Sequence, residues 1–314
     1  MLHHGSSRAV NTGRGGGYDL AVTTEISRAA LVTGCSTGIG RATAAMLVRS
    51  GWSVYATARD VTSLGELVEL GCRAQQLDVT DEDSMRAAVD VVVEDHGAVG
   101  VLVNNAGYSQ SGAVETVPLA EVRRQFDTNF FGPARLAQLV LPGMRAQRWG
   151  KVVTIGSMGG RLTFPGGGYY HATKYALEAL SDALRFEVAG FGVDVVLVEP
   201  GFIRSDFSHT AASTLDRPDT DSGDTAAEPY RSFTAGVLAS TRDVYDRGPM
   251  SRLGGTPDDV ARVVLEAITT SRPKARYPVT PSARLLLGLR AILPDRAWDA
   301  FLDRKFVRPG SEGG

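Results

Sequence analysis

The sequence predicts an α/β fold in which a doubly wound parallel sheet carries helices on both of its faces. Two observations lead to this prediction. Short β-branched runs alternate with helical patterns from Ala29 onward, and runs such as residues 29–33 and 193–198 are apolar at nearly every position. Strands that are apolar on both faces are typical of a parallel sheet covered on both sides. Right-handed crossovers then produce the doubly wound arrangement.

The strands and helices are predicted in alternating order along the chain. Six strands are expected over residues 29–33, 53–57, 73–77, 99–103, 151–155 and 193–198. Helices are expected over residues 39–49, 64–70, from 80 onward, 119–147, 170–189 and 256–270. Hydroxyl and acidic side chains at residues 80–83 and 256–259 favour helix starts, because they can cap the helix and oppose its dipole.

The chain is predicted to form a single domain with three peripheral segments. Residues 1–28 are expected to be a flexible N-terminal arm, because they are polar and glycine-rich. Residues 203–250 are expected to form a lid, with a plain linker or a disordered insertion as the alternative for its polar part, residues 209–230. Leucines at helical spacing predict a C-terminal helical extension over residues 281–314.

Composition disfavours several classes of function. The 314 residues carry a formal net charge of -2 and no long basic block, so no nucleic-acid partner is expected. The five histidines share no metal-ligand spacing, and no metal site is expected. The longest apolar stretch, residues 285–293, is shorter than the roughly 20 residues of a membrane span. Two cysteines, Cys35 and Cys72, are too few for a disulfide framework and favour a reducing, cytoplasmic location.

A glycine-rich turn lies between the first predicted strand and the first predicted helix. Glycine lets backbone amides approach a pyrophosphate that rests on the N-terminus of the following helix. A tight turn needs glycine for steric reasons alone, but the strand–turn–helix setting favours dinucleotide binding. The candidate cofactor residues in this turn are Gly34, Ser36, Thr37, Gly38, Ile39 and Gly40.

The end of the second predicted strand indicates which dinucleotide binds. Proteins of this architecture that use NAD usually carry an acid there, whereas this chain has Ala58 followed by Arg59. A guanidinium suits the 2′-phosphate of NADP because it is a permanently charged, bidentate donor. NADP is therefore predicted over NAD, although Asp60 beside Arg59 tempers this preference. Residues 29–280 are accordingly expected to be a Rossmann-type NADP-binding catalytic domain.

Further cofactor contacts are expected where the third and fourth predicted strands end. Asp78 and Val79 would lie near the adenine. Asn105, Ala106 and Gly107 would supply amides and small side chains at the next contact. Each of these residues, taken singly, is also compatible with ordinary loop chemistry.

Four polar residues form a candidate catalytic set. Tyr170 and Lys174 are four residues apart and share one helix face. Ser157 follows the fifth predicted strand, at the carboxyl edge of the sheet where ligands bind in this architecture. Asn129 is a polar residue within an otherwise apolar helix. His171 is expected to point elsewhere on its helix and is assigned no role.

Taken together, these residues resemble the short-chain dehydrogenase/reductase family over about residues 29–270. The matching pieces, in the family's order, are Thr33-Gly34…Gly38-Ile39-Gly40, Asn104-Asn-Ala-Gly107, Asn129, Ser157, Tyr170…Lys174 and Pro200-Gly201. The resemblance implies an oxidoreductase that transfers hydride between a nicotinamide and a carbonyl or alcohol. It also implies that Pro200, Gly201 and Ile203 contact the cofactor.

The resemblance implies a role for each catalytic residue. Tyr170 would exchange a proton with the substrate oxygen, and Lys174 and the positive nicotinamide ring would lower the pKa of its phenol. Lys174 would also hold the nicotinamide ribose. Ser157 would donate a hydrogen bond to the substrate oxygen, and Asn129 would bind a water that links Lys174 to bulk solvent.

Within the family, residues 54–59, the long insertion and the leucine-rich tail resemble the hydroxysteroid and retinol dehydrogenase branch. This resemblance implies a lipophilic alcohol or ketone as substrate, and the family resemblance implies a homodimer or homotetramer. Candidate pocket walls, any of which could instead be core, are Tyr108, Met158, Phe202, Ile203 and Phe207.

Three alternative functions stay open at this point. A non-redox NADP-binding regulator would keep the fold, but such proteins usually lose the Tyr, the Lys or the Ser. An epimerase or dehydratase with tightly bound NAD is disfavoured by Arg59 and by the short substrate region. An interaction module would use the C-terminal leucines as a docking helix.

Overall fold

An entirely parallel sheet of seven strands forms the centre of the fold. The computed structural model describes residues 26–205, 214 and 228–310. The strands are β1 Ala30–Val32, β2 Val54–Ala58, β3 Arg73–Gln76, β4 Val101–Asn104, β5 Gly150–Ile155, β6 Val193–Glu199 and β7 Arg276–Pro278. Their order is β3-β2-β1-β4-β5-β6-β7. The chain therefore winds outward in two directions from β1, which confirms the predicted doubly wound sheet.

Helices pack on both faces of this sheet. They are α1 Gly38–Arg49, α2 Gly65–Glu69, α3 Glu82–His96, α4 Leu119–Phe126, α5 Gly132–Ala146, α6 Gly168–Val188, α7 Arg231–Arg242, α8 Pro257–Thr269, α9 Pro281–Ile292 and α10 Asp295–Leu302. The hydroxyl of Thr256 caps α8 by accepting from the N–H of Asp259, as the sequence predicts. At α3 the capping side chain is Asp81, which accepts from the N–H of Ser84 at 3.0 Å.

The two faces of the sheet bury separate apolar clusters. Ala30 and Val32 of β1 pack with residues of α1 and α8, whereas Leu31 between them packs on the other face with residues of α3 and α5. Successive side chains of a strand point to opposite faces. Both faces are covered by helices, so both need apolar side chains, and this explains the uninterrupted apolar runs.

The structure differs from the sequence prediction at two elements. The helix predicted over residues 119–147 is interrupted by a π-helical turn, Asp127–Phe131, between α4 and α5. The sequence does not predict β7, which is three residues long and carries no apolar run. It exists because its backbone pairs with the edge of β6, where Arg276 lies opposite Leu197. Such pairing depends on tertiary context, which local periodicity does not record.

The predicted peripheral segments are described only in part. Residues 1–25 of the predicted arm lie outside the described residues, but Ser27 is buried and donates a hydrogen bond to the carbonyl of Ala98 at 2.5 Å. The folded domain therefore begins before residue 29. Residues 206–213 and 215–227 of the predicted lid, with Phe207, also lie outside the described residues.

The described part of the predicted lid contains α7, a helix that follows the polar residues 209–230 and that the sequence analysis does not predict. The C-terminal extension forms α9 and α10, which agrees with the predicted helical tail. Within the described ranges, no helix combines the length and the apolar character that crossing a bilayer requires.

Candidate active site

A cavity of about 1300 Å³ opens at the carboxyl edge of the sheet. The strand order reverses between β1 and β4, and ligands bind at such a reversal in sheets of this kind. A single-ligand pocket usually measures roughly 300–1000 Å³, so this cavity has room for a dinucleotide and a second molecule. The predicted residues that line it are Gly34, Ser36, Thr37, Gly38, Ile39, Arg59, Asp78, Val79, Asn105, Ala106, Gly107, Ser157, Tyr170, Lys174, Pro200, Gly201 and Ile203.

Gly40 and Asn129 do not line the cavity, and Gly40 acts by packing the turn. A Cβ on Gly40 would lie 2.2 Å from the carbonyl oxygen of Gly34, so only glycine allows the helix to start this close to the turn. Gly34 has a φ of +70° and also approaches the Cα of Ala106, which would lie 2.9 Å from an added Cβ. The turn is therefore held tightly against the loop after β4.

The N-terminus of α1 faces the cavity without a side-chain cap. Thr37 occupies the N-cap position but makes no capping hydrogen bond, and the first turn carries no acid. The first backbone N–H groups of the helix are therefore available to a ligand, and the helix dipole adds a positive potential. This end of the cavity fits the pyrophosphate of a dinucleotide.

Arg59 lies at the end of β2, and its side chain is exposed at the cavity. Within the described ranges, no acidic side chain forms an ion pair with it. Asp60 is turned away, because its carboxylate accepts hydrogen bonds from the backbone N–H and the hydroxyl of Thr62 at 2.9 and 2.7 Å. Arg41 is engaged by Glu66 at 3.1 Å. Among the described residues, Arg59 therefore has no partner, and its donors face the cavity where an anion could bind.

The loops after β1 and β4 are joined by hydrogen bonds. The hydroxyl of Thr33 accepts from the N–H groups of Asn105 and Ala106 at 2.9 and 3.0 Å. The side-chain amide of Asn105 donates to the carbonyl of Thr33 at 2.8 Å. Asn105 thus holds the floor of the cofactor site in place. Asp78 organises its own loop by accepting from the N–H of Thr80 at 2.9 Å.

Ser157 and Tyr170 meet inside the cavity. Ser157 follows β5, and its Oγ accepts a hydrogen bond from the N–H of Gly159 at 3.0 Å. Burial raises the pKa of Tyr170 to about 12, and a hydrogen bond with the Ser157 side chain partly offsets this rise. A phenol with this pKa is protonated at neutral pH. In the protein alone, burial therefore outweighs the predicted lowering of the pKa by Lys174.

Lys174 is buried one helical turn after Tyr170. Its Nζ donates to the carbonyl of Ile155 at 2.8 Å and lies 5.8 Å from the centroid of the Tyr170 ring. Burial lowers the pKa of the ammonium to about 8. The geometry thus gives Lys174 a carbonyl partner and a position beside the phenol.

Asn129 lies in the π-helical turn and is buried against the loop after β4. Its Oδ1 accepts from the N–H of Tyr108 at 3.0 Å, and its Nδ2 donates to the carbonyl of Tyr108 at 2.8 Å and to the hydroxyl of Thr173 at 3.2 Å. Both amide protons are thereby used within the protein. The side chain connects the cavity wall to α6. A water bound at Asn129, as the resemblance implies, would therefore have to form its hydrogen bond with the backbone of this residue instead of its side chain.

His171 is the residue that the sequence analysis set aside and the structure places in the site. It is buried, lines the cavity and makes two hydrogen bonds to the loop between β5 and α6. In the sequence, two glycines near His171 are the features that relate to its position, and their meaning is clear once the structure is known. Gly159 and Gly167 each lie where an added Cβ would come within 3.0 Å of the imidazole, at 2.5 and 2.9 Å.

Glu178 and Glu199 form a buried carboxylate pair behind the loop that contains Pro200. This pair was not predicted from the sequence. Glu199 ends β6 with no exposed surface, and the Nε of Arg276 lies 3.8 Å from its Oε1 and 2.8 Å from the Oε2 of Glu178. Burial and the nearby charge of Glu178 raise the pKa of Glu199 to about 7. These residues do not line the cavity, and they join β6, β7 and α6 beneath it.

Apolar side chains form the part of the cavity beyond Tyr170. Phe164 packs against Phe202 and Trp298 with ring centroids 6.4 and 6.3 Å apart, so the loop after β5 contacts the last helix. Four candidate pocket walls from the sequence, Tyr108, Met158, Phe202 and Ile203, line the cavity. The lining from the later part of the chain includes Val237, Tyr245, Met250, Leu286, Phe301, Leu302 and Phe306.

A Lys174→Met substitution is expected to stabilise the ligand-free protein. Burial lowers the pKa of Lys174 from 10.5 to about 8, which corresponds to roughly 3 kcal/mol against the charged form. Loss of the hydrogen bond to Ile155 removes about 1 kcal/mol of this gain. The melting temperature at pH 7 should therefore rise by about 2–6 °C, measured by calorimetry.

The gain in stability from Lys174→Met should decrease as the pH rises above 8. Above pH 8 the folded amine loses its proton while the unfolded amine keeps it, so the wild-type protein becomes more stable as the pH rises toward 10.5. The advantage of Lys174→Met should shrink over that range. Lys305→Met, at an exposed position, serves as the control without such a gain. A variant less stable than wild type at pH 7 would contradict the prediction.

Comparisons with known proteins agree with this geometry. Residues 28–216 match a family model described as short chain dehydrogenase. A 3-ketodihydrosphingosine reductase from Bacteroides thetaiotaomicron is 34% identical over 84% of this chain and 93% of that protein. Retinol dehydrogenase 8 from Bos taurus is 33% identical over 85% of this chain and 86% of that protein. A closed serine dehydrogenase structure complexed with NADP+ has a TM-score of 0.68 and 26% identity, over 81% of this chain and 94% of that one. The chain belongs to the short-chain dehydrogenases, a family of nicotinamide-dependent oxidoreductases.

Proposed function

We propose that this protein transfers hydride between NADP(H) and a carbonyl or secondary alcohol of a lipophilic substrate, with Tyr170 as general acid and base. The observation that carries the proposal is that Ser157, Tyr170 and Lys174 share one cavity with the glycine turn and Arg59. One reaction site is thus surrounded by a proton donor, a hydroxyl that can stabilise an oxyanion and a turn that can bind the cofactor.

In the reductive direction, Tyr170 donates a proton to the substrate oxygen. Its pKa of about 12 makes it a protonated acid at neutral pH. Ser157 donates a hydrogen bond to the same oxygen as negative charge develops there. The nicotinamide, when bound, supplies or accepts the hydride. In the oxidative direction Tyr170 must first lose its proton, and the ammonium of Lys174 beside the ring stabilises the phenolate.

Two features support NADP rather than NAD as the cofactor. Arg59 presents a guanidinium at the end of β2 that has no partner among the described residues, and the carboxylate of Asp60 is occupied by Thr62. NAD enzymes of this architecture usually carry a carboxylate for the ribose hydroxyls at the end of this strand, where the present chain has Ala58 followed by Arg59. The serine dehydrogenase to which the chain is similar was solved with NADP+.

The lipophilic nature of the substrate is supported by the cavity wall. Phe164 and Phe202 line its far side with Trp298 packed behind them, and Met250 and Leu286 extend the apolar surface. Burying apolar surface yields roughly 25 cal/mol per Å², so a long apolar substrate would gain affinity here. Two relatives carry names of enzymes for a sphingoid ketone and for retinol, both lipophilic.

We also propose that the protein assembles as a homodimer or homotetramer. Phe186 of α6 is 89% exposed and Phe131, which precedes α5, is 57% exposed. Exposed phenylalanines on α6 and immediately before α5 favour burial against a second copy. Light scattering coupled to size-exclusion chromatography measures the assembly, and a monomer at micromolar concentration would overturn this part of the proposal.

The experiment for the reaction is a screen of ketones and alcohols, from small aliphatic to steroid- and sphingoid-sized, with NADPH and NADH in parallel. Turnover should rise with the apolar length of the ketone, and NADPH should be preferred. A protein that binds NADPH but turns over no carbonyl would be a regulator instead. Interconversion of sugars without net consumption of NADPH would indicate an epimerase.

A further inference from the structure

We propose that His171 is a positioning residue that sets the place of both the Ser157 hydroxyl and the substrate wall at Phe164. This inference rests on the proposed function, because it concerns the same reaction. His171 follows Tyr170 on α6, but its imidazole lies against the loop that connects β5 to α6.

The imidazole links two points of this loop with one defined tautomer. Its Nε2 accepts a hydrogen bond from the backbone N–H of Phe164 at 3.1 Å. The proton therefore resides on Nδ1, which donates to the carbonyl of Gly159 at 2.9 Å. Burial lowers the pKa of His171 to about 4, so the neutral ring that makes both bonds is the form present at neutral pH.

The first bond leads to Ser157. The peptide unit of Gly159 accepts from His171 through its carbonyl, while its N–H donates to the Oγ of Ser157 at 3.0 Å. One lone pair of Oγ is thus filled by the backbone, which leaves the hydroxyl proton to point toward Tyr170 and the substrate oxygen. Displacement of Gly159 would turn this hydroxyl away.

The second bond leads to Phe164. His171 holds its backbone N–H, and the Phe164 ring packs against the imidazole with centroids 6.0 Å apart. The same ring contacts Phe202 and Trp298. His171 therefore fixes the apolar wall that a lipophilic substrate would contact.

The loop has no space for side chains where it meets the imidazole. A Cβ on Gly159 would lie 2.5 Å from Nδ1, and one on Gly167 would lie 2.9 Å from Nε2. Gly167 has a φ of -111°, which any residue adopts, so backbone freedom does not explain it. The close approach of His171 does.

Three substitutions of His171 test its hydrogen bonds to Gly159 and Phe164 separately. His171→Asn keeps a donor near the position of Nδ1, His171→Gln keeps an acceptor near the position of Nε2, and His171→Phe keeps a ring but loses both. Displacing a catalytic group by about 1 Å can lower the rate roughly 100-fold. We expect kcat for the lipophilic ketone to fall about 10- to 100-fold in the Gln and Phe variants and less than about 5-fold in the Asn variant. KM for the ketone should rise in the Asn and Phe variants and stay unchanged in the Gln variant.

A double-mutant cycle distinguishes positioning of Ser157 from general support of the fold. In a Ser157→Ala background, His171→Phe should lower kcat by no more than about 2-fold further, because the group that it positions is already absent. An equal loss of kcat in both backgrounds would overturn the inference. So would unchanged kcat and KM in all three variants. If His171→Phe does not fold, the Asn and Gln variants carry the test, since each keeps one bond.

The wild-type protein separates this inference from the proposed function. If it turns over no carbonyl with either cofactor, both proposals fall. If it turns over ketones and the His171 variants do so equally well, the proposed function stands and the role of His171 is refuted. Affinity for NADPH, measured by fluorescence, should stay within about 2-fold in every variant, because His171 contacts the substrate side of the site.

Discussion

A Tyr170→Phe variant is expected to lose about 100- to 10,000-fold in kcat with any ketone that the wild-type protein reduces. The substitution removes the proton donor and leaves the ring, which packs against His171 with centroids 5.6 Å apart. NADPH affinity should stay within about 2-fold, since the hydroxyl serves the substrate oxygen in the transition state. Steady-state turnover followed by NADPH absorbance, with fluorescence titration of NADPH, measures both quantities.

Tyr169→Phe is the matched control for this prediction. The hydroxyl of Tyr169 donates to the carbonyl of Val114 at 3.0 Å, and the residue does not line the cavity. Its loss should change kcat by less than about 2-fold, because a peripheral hydrogen bond contributes only about 1 kcal/mol to stability. Undiminished turnover in Tyr170→Phe would refute the proposed mechanism.

An Arg59→Asp variant is expected to lose at least about 100-fold in kcat/KM for NADPH and to use NADH better than NADPH. Arg59 has no hydrogen-bond partner within the part of the chain that the structure describes, and two hydrogen bonds to a phosphate are worth about 3 kcal/mol. The aspartate would repel the 2′-phosphate and accept from the ribose hydroxyls of NADH. Arg59→Ala should lose the same preference for NADPH without the gain toward NADH.

Arg49→Asp controls for the change in net charge, because it reverses one positive charge as Arg59→Asp does. Arg49 is exposed in the last turn of α1, at the end opposite the cofactor turn. Its replacement should leave the ratio of kcat/KM for NADPH to that for NADH unchanged, because exposed charges at such a distance are largely screened. Equal or better use of NADH by the wild-type protein would overturn the NADP assignment.

Much of the site can be predicted because its parts are local in the chain. The glycine turn is a strand–turn–helix unit within residues 30–49, and Tyr170 and Lys174 lie on one helical turn. Apolar runs such as 193–198 reveal that both faces of the sheet are covered. Parallel strands place their carboxyl ends at one edge, so the sequence alone brought Ser157, Tyr170 and Arg59 to a common cavity.

The pKa values of Tyr170 and Lys174 could not be predicted from local sequence patterns. The sequence predicts that Lys174 and the positive nicotinamide ring together lower the pKa of Tyr170. In the ligand-free protein, burial has the larger effect on both residues and moves the two pKa values in opposite directions, to about 12 for Tyr170 and about 8 for Lys174. Desolvation depends on everything that surrounds a group, including segments more than 100 residues away in sequence such as the C-terminal helices. No local pattern contains that information.

The sequence by itself determined the parallel sheet and the glycine turn, and it predicted the candidate catalytic side chains, because each is encoded in the spacing of neighbouring residues. Only the tertiary structure decided which partners those side chains have. In the folded protein, Asn129 forms hydrogen bonds with the backbone of Tyr108, and His171 forms one with the loop that follows Ser157. The strand β7 pairs with β6. These contacts join chain segments that come together only when the sheet and its helices have packed, and hydrogen bonds between such segments leave no periodic trace in either one.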